Sequence, residues 1–312
     1  MKKTIALLCG GISSEREVSL KSGQQVFQSL DKAKYEVRRY DPQTDLPRLV
    51  ADAAHIDAAL IILHGPYGED GTVQGLLELL DIPYQGAGVL GSALAMNKLA
   101  AKQMYERAGI PMPPYLAVRR GETVSAERFV ERLGLPLVVK PAVGGSSIGM
   151  SIVRSADQVA GALAKAFEQD GTVLVESYIK GVEITASVLG NDRLDALPLI
   201  EIVPDASHDF FDYVAKYTAG ASQEICPARI SPVLTEKAQS YARMAHEALF
   251  CKGYSRTDML VRGDDIFVLE TNTIPGMTPT SLLPQAAQAA GISFAQLLDR
   301  LIELGLQAHH NR

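Results

Sequence analysis

The chain has 312 residues, of which 47% are hydrophobic, 21% charged and 6% aromatic. That balance is globular and excludes a disordered chain, and the length has room for two or three domains. Thirty basic against 36 acidic residues give a net charge of −6, which excludes a general nucleic-acid or anionic-membrane binder but not a small basic pocket. Cys9, Cys226 and Cys251 are too few and too scattered for a disulfide framework or a cysteine zinc site. The apolar run Ile5 to Cys9 is too short for a signal-peptide core, and no segment approaches the roughly 20 apolar residues of a membrane helix. These features point to a cytoplasmic α/β protein.

Thr4 to Cys9 reads as a buried strand, followed by Gly10-Gly11, a polar turn and a helix over Val18 to Leu30. Asp57 to Leu63 is a second buried strand that runs into HGPYGEDG. Aliphatic strands alternating with helices predict a parallel sheet covered on both faces, with ligands beyond the carboxyl ends of the strands. Ser92 is placed to cap a helix running to about Ala108, ended by Gly109-Ile110-Pro111. Strands at Leu137–Lys140, Met150–Val153 and Thr172–Tyr178, a Gly/Ser loop over Val143–Gly149 and a helix over Asp157–Phe167 form an α+β module. From Gly181 a third unit is expected. It has strands Glu183–Leu189 and Leu197–Val203, an irregular segment Pro204–Gln223, a helix Thr235–Phe250, two strands Ser255–Arg262 and Ile266–Asn272, and a final helix Phe294–Leu306. The tail from Gln307 is expected to fray.

Among the motifs, SRTDMLVRGDDIFVLETN carries the strongest chemistry. A three-residue loop, Gly263-Asp264-Asp265, would set Asp258 across from Glu270 and Arg256 across from Asn272. Those four then share one face, with Met259, Val261, Phe267 and Leu269 on the other. Two carboxylates and an amide oxygen suit Mg²⁺, although the same spacing fits a solvated polar sheet face, and a one-residue slip would separate the pair. LVVKPAVGGSSIGMSIV offers backbone N–H groups and hydroxyls that can close over phosphate, with Lys140 as a point charge, but it is not a Walker A loop. Glycine-rich hairpins without function are common. His64, Glu69 and Asp70 stand at a strand end where binding loops occur, or serve structure there. Glu15 fits either a substrate ammonium or a helix-start carboxylate. Lys98 and Lys102 lie one helical turn apart, as they would on a solvated face. Lys216-Tyr217 falls in an aromatic and polar segment that is either a binding loop or a packed one. In TIPGMTPTS, Gly276 could offer an N–H to an oxyanion and Ser281 a hydroxyl to a carboxylate, or the segment is an ordinary Pro-Gly turn.

In chain order, GGISSEREVS, HGPYGEDGTVQG, KPAVGGSSIGMS and LETNTIPGMTPTSL resemble the D-alanine–D-alanine ligase family of the ATP-grasp superfamily, over nearly the whole chain. The resemblance implies an α/β protein, α+β in its C-terminal half. Residues 1–96 would form a Rossmann-like substrate domain, 97–180 a central ATP-grasp domain and 181–312 a C-terminal ATP-grasp and metal-binding domain. It implies that Glu15 holds the ammonium of a first D-alanine with His64 nearby, and that Lys98, Lys140, Lys216 and the loop residue Ser147 contact ATP. Glu176 and the Ile179 backbone would face adenine, and Glu183 the ribose. Asp258, Glu270 and Asn272 would bind two Mg²⁺ ions, or Mn²⁺ in their place. Arg256 and the Gly276 N–H would stabilise a tetrahedral intermediate, and Ser281 and Leu282 would hold the second D-alanine. Ser146, Tyr217 and Glu15 would form a hydrogen-bonded link that closes a loop over the site. The expected reaction joins two D-alanines through a D-alanyl phosphate for peptidoglycan precursor synthesis, in a cytoplasmic homodimer.

The sequence departs from the family pattern at Ser177 and Tyr178, where many relatives carry Lys and Trp, at Asn97 for Asp and at Val214 for Glu. A D-alanine–D-lactate ligase is the nearest competing reading, but relatives of that kind resemble one another in placing His where this chain has Tyr217. Ligases for other amino acids would be expected to alter Glu15 or the Ser281-Leu282 pair. A nucleotide-binding regulator without catalysis would not need Arg256, Asp258, Glu270 and Asn272 together.

Overall fold

The computed structural model describes residues 2–145, 147–204 and 222–311, arranged around three sheets. The first is parallel, in the order β2-β1-β3, from β1 (Lys3–Leu8), β2 (Tyr35–Tyr40) and β3 (Ala58–Ile61). The last four residues of β1 and all of β3 are buried, as a parallel sheet covered on both faces requires. The second sheet is antiparallel, in the order β4-β7-β5-β6, from β4 (Tyr115–Arg119), β5 (Leu137–Pro141), β6 (Ser151–Val153) and β7 (Thr172–Ser177). The third runs β11-β10-β8-β12-β13, with β9 also on β8. Its members are β8 (Val182–Gly190), β9 (Asp195–Ala196), β10 (Ile200–Pro204), β11 (Ser222–Ile225), β12 (Gly253–Arg262) and β13 (Asp265–Asn272).

Where the expected single helix from Ser92 to Ala108 should run, there are two: Val89–Met96 and Lys98–Arg107. Asn97 breaks them. It leaves helical geometry (φ −94°, ψ 101°), bridges to Val143 in the glycine loop, and accepts the Ala100 N–H with its side chain. Ser92 caps nothing. It lies inside the first helix, donating to the Ala87 carbonyl. The break sets Lys98 at the start of a helix facing the glycine loop.

The expected fraying at Gln307 is also overturned, because helix Phe294–His310 runs on almost to the end of the chain. A Ser293/Gln296 capping box starts it, and Leu297, Leu298, Leu301, Ile302 and Gly305 form its buried stripe. That stripe joins Ile5, Leu7, Leu60 and Ile62 of the first sheet in one core, together with Leu189 and Tyr254 of the third. Residues far apart in sequence thus lock the N- and C-terminal sheets together. Gly305 is the closest approach: a Cβ there would stand 2.6 Å from the Tyr84 carbonyl oxygen and 2.9 Å from the Gln85 nitrogen. Backbone atoms cannot step aside, so Gly305→Ala is expected to lower stability by about 1–3 kcal/mol, read as a lower Tm.

Candidate active site

The site begins with the β12–β13 hairpin. Asp258 pairs with Glu270 and Arg256 with Asn272, as the sequence suggested, but by another route. The loop has two residues, since Arg262 pairs with Asp265, and a bulge beside Asp258 and Met259 skips Leu269 and restores the register. The bulge also corrects the expected core face. Ile266 and Val268, with Met259 and Val261, are the buried residues, whereas Phe267 and Leu269 stand on the other side.

Asp258 is tied down on three sides. Arg256 grips it with two bonds of 2.9 and 2.8 Å, the Thr185 hydroxyl of β8 donates at 2.6 Å, and the Asn272 amide at 3.2 Å. Among the described residues no three His, Cys, Asp or Glu side chains converge as a metal cage. Two carboxylates and one amide on a single face fit Mg²⁺ that completes its shell with waters and ligand phosphates. To present oxygen, Asn272 must turn its amide over.

On one side of this hairpin a cavity of about 400 Å³ lies between the second and third sheets, lined by Lys140, Ser147, Ile179, Glu183, Leu260 and Leu269 among others. Lys98 closes one end, where its ammonium donates to the Gly144 carbonyl and stands 4.0 Å from Glu270. The glycine loop can turn here because Gly144 and Gly149 have positive φ, as does Ser147 at 58°. Glu176 is buried in the wall, with one carboxylate oxygen 3.0 Å from Lys140 and 3.2 Å from Lys102. Burial alone would raise its pKa, but the two lysines hold it below the usual carboxylate range. At the expected departures, Ser177 donates to the Leu133 carbonyl, and Asn97 is the cap already described.

Adjoining that cavity is a larger one of about 810 Å³, lined by Glu15, His64, Glu69, Arg256, Asn272, Gly276, Ser281 and Leu282. The two cavities share Lys98, Gly144, Gly145 and Glu270. The loops after β1 and β3 form its floor. Asp41 accepts the Gly11 N–H and both arms of Arg16, and Arg16 also bonds the Gly11 carbonyl. This clamp fixes the left-handed Gly10-Gly11 turn and presents Glu15, which is buried with an oxygen beside Gly65 and Gly145. Burial opposes a charge on His64, but Glu69, 3.8 Å away, and Glu15 outweigh it and raise its pKa. The neighbouring acid Asp70 instead caps the Tyr67 and Thr72 N–H groups. Ser281 stands at the start of helix Leu282–Ala289, bonded to Thr278, and a Cβ on Gly276 would come within 2.9 Å of its hydroxyl.

Every expected site residue within the described chain therefore lines one of two adjoining cavities. Ser146, Lys216 and Tyr217 lie outside the described residues.

The family models for the D-ala D-ala ligase N-terminus and C-terminus match residues 41–87 and 104–303. The chain is 65% identical to the D-alanine–D-alanine ligase of Syntrophobacter fumaroxidans, over 98% of each chain. The chain belongs to the D-alanine–D-alanine ligase family. It is 55% identical to the ligase of that name from Desulfotalea psychrophila, over 97% of this chain and 95% of the relative. The crystal structure of the Bacillus anthracis enzyme complexed with ATP superposes with a TM-score of 0.87 at 38% identity, covering 99% of both chains. The fold is thus that of these ATP-grasp ligases, with a parallel N-terminal sheet.

Sequence reasoning missed four contributors in this ligase. Thr185 reaches Asp258 only because β8 pairs with β12, opposite it in register. Glu224 and Gln285, hydrogen-bonded to each other, line the larger cavity from an edge strand and a helix with no motif around them. Lys102 was visible only as a lysine one turn from Lys98.

Proposed function

We infer that this enzyme uses ATP to join two D-alanine molecules into D-alanyl-D-alanine for peptidoglycan precursor synthesis, releasing ADP and phosphate. The observation that carries the reading is the meeting of the two cavities at Lys98, Gly144, Gly145 and Glu270. A phosphate held in one can reach a carboxylate held in the other only there.

A carboxylate is a poor electrophile, so the first D-alanine carboxylate attacks the γ-phosphorus of ATP, the bond to ADP breaks, and D-alanyl phosphate forms. The amine of the second D-alanine, once deprotonated, then attacks the acyl carbon, and phosphate leaves. Glu15 and His64 hold the first amino acid. Lys98, Lys140 and Lys216 stabilise negative charge on the transferring group, and Ser147 closes from the glycine loop. Glu176, the Ile179 backbone and Glu183 form the nucleoside end. Asp258, Glu270 and Asn272 would hold two Mg²⁺ ions, or Mn²⁺, whose chemistry is to neutralise the phosphates. Arg256 and the Gly276 N–H face the oxyanion, and Ser281 with Leu282 receives the second carboxylate. The Ser146–Tyr217–Glu15 link rests on the sequence resemblance, and its role is to keep water from the acyl phosphate.

In this reading residues 1–96 carry the first substrate site, and 97–180 and 181–312 grasp the nucleotide. Among the described residues no helix is long and apolar enough to cross a membrane. We propose a cytoplasmic homodimer that engages neither membrane nor nucleic acid.

The test is phosphate release with ATP and Mg²⁺, with D-alanine alone and then with D-lactate added, with products identified by mass. One dipeptide per phosphate is expected, with no depsipeptide. Depsipeptide would reverse the reading of Tyr217, and no D-alanine-dependent phosphate would leave only the scaffold. Ser281→Ala is expected to raise the KM for the second D-alanine about tenfold, the cost of one hydrogen bond to a charged group, with the KM for ATP unchanged.

A further inference from the structure

Lys102 lines neither cavity, yet it is among the most buried charged side chains described, only 1% exposed. Its ammonium lies 3.2 Å from the same Glu176 oxygen that Lys140 approaches at 3.0 Å, and 5.1 Å from the centre of the Tyr115 ring. Neither lysine contact is aligned as a hydrogen bond. A buried ammonium without directed bonds is costly, and charge pairing is what offsets that cost here. Glu270 is the other acid that acts on it.

Charge bookkeeping gives the arrangement a purpose. Lys140 lines the smaller cavity, but Glu176 lines it too and carries an opposite charge. Lys140 and Glu176 alone would sum to zero and offer phosphates little. With Lys102 on the same Glu176 oxygen, the three groups sum to +1, and the surplus is presented by the only one of the two lysines that lines the cavity. This resting on the nucleotide reading of that cavity, we propose that Lys102 is a positioning residue for ATP: from behind the wall it neutralises Glu176 and so leaves the charge of Lys140 available to the phosphates. Glu176 in turn holds Lys140 in place through its carboxylate.

The test compares wild-type enzyme with K102M, K102Q and K102R. The readouts are KM for ATP, KM for D-alanine, binding of ATP and of adenosine by calorimetry, and thermal melting. K102M lowers the local sum to zero and is expected to raise the KM for ATP about tenfold, or about 1.4 kcal/mol, with the KM for D-alanine and the affinity for adenosine within about twofold of wild type. K102R keeps +1 and is expected to hold ATP affinity to within about threefold of wild type. A structural role would weaken adenosine and ATP alike. A K102M that loses adenosine as much as ATP or raises both KM values equally, or a K102R no better than K102M, overturns the proposal. Should K102M fail to fold, K102Q decides: a loss confined to ATP supports the proposal, and unchanged ATP binding overturns it. A wild-type enzyme that binds no ATP would overturn the reading of the cavity, and the proposal with it.

Discussion

Glu270→Gln is expected to abolish measurable ligation, a loss of at least two orders of magnitude in kcat, while the protein stays folded. Glu270 stands where the two cavities meet, opposite Asp258 on the hairpin and 4.0 Å from Lys98. Among the described residues, its carboxylate is the only one that lines both cavities. The amide of Gln keeps the shape and removes the charge. A neutral oxygen would weaken any cation held there, and cations at a transferring phosphoryl group account for a large part of the barrier lowering. Glu270 is only partly buried, so the substitution leaves no deep cavity, and the melting temperature is expected to move little. Near-normal turnover at saturating Mg²⁺ would sink the metal assignment. Lys98 sharpens the test, because in the variant its ammonium loses a nearby anion and should bind free phosphate more tightly.

Arg256→Lys is expected to lower kcat by about 10²-fold with modest change in either KM. The side chain does two things that a point charge cannot do together. It grips both oxygens of Asp258 with a flat fork, at 2.9 and 2.8 Å, and it faces the larger cavity beside Gly276. Lysine has no fork, so it can satisfy Asp258 or face the cavity but not both. Loss of one donor aimed at a developing oxyanion costs about 10²–10³ in kcat in other enzymes. The discriminating measurement is the partial reaction. If Arg256 acts on the tetrahedral intermediate, acyl phosphate trapped with hydroxylamine should still form in the variant while dipeptide formation falls. Equal loss of both steps would show that its work is to hold Asp258.

How much of this was legible in the sequence varies by element. The strands β1 and β3 were legible because their aliphatic runs are continuous, and the binding loops followed from the rule that parallel sheets bind ligands at their carboxyl ends. The Asp258–Glu270 pairing was found with a loop one residue too long. The bulge at Leu269 cancelled that error, because two offsets of one residue restore the register but reverse the faces beyond the bulge. Phe267 and Leu269 were therefore put on the wrong side. The break at Asn97 was missed because its cause is a bridge to Val143, 46 residues away. The C-terminal helix was legible as far as Leu306, and only its last turn was missed, for the same reason: the tail beyond Leu306 is polar, and what orders it is the continuation of a helix whose stripe packs on the N-terminal sheet.

The sequence by itself determined the chemistry available to this protein. Its motifs supply the carboxylates, the glycine loop, the lysines and the arginine in a fixed order, and those residue types suffice to name a reaction class. Only the tertiary structure decided which of them act together. Lys102, Glu176 and Lys140 come from a helix and two strands, and they form one group with a net charge of +1 only when the second sheet closes on that helix. Thr185 joins Asp258 only across the β8–β12 pairing. Local periodicity is set by short-range backbone geometry and can be read along the chain. Charge neutralisation inside a wall depends on distances of about 3 Å between distant segments, and burial fixes those distances.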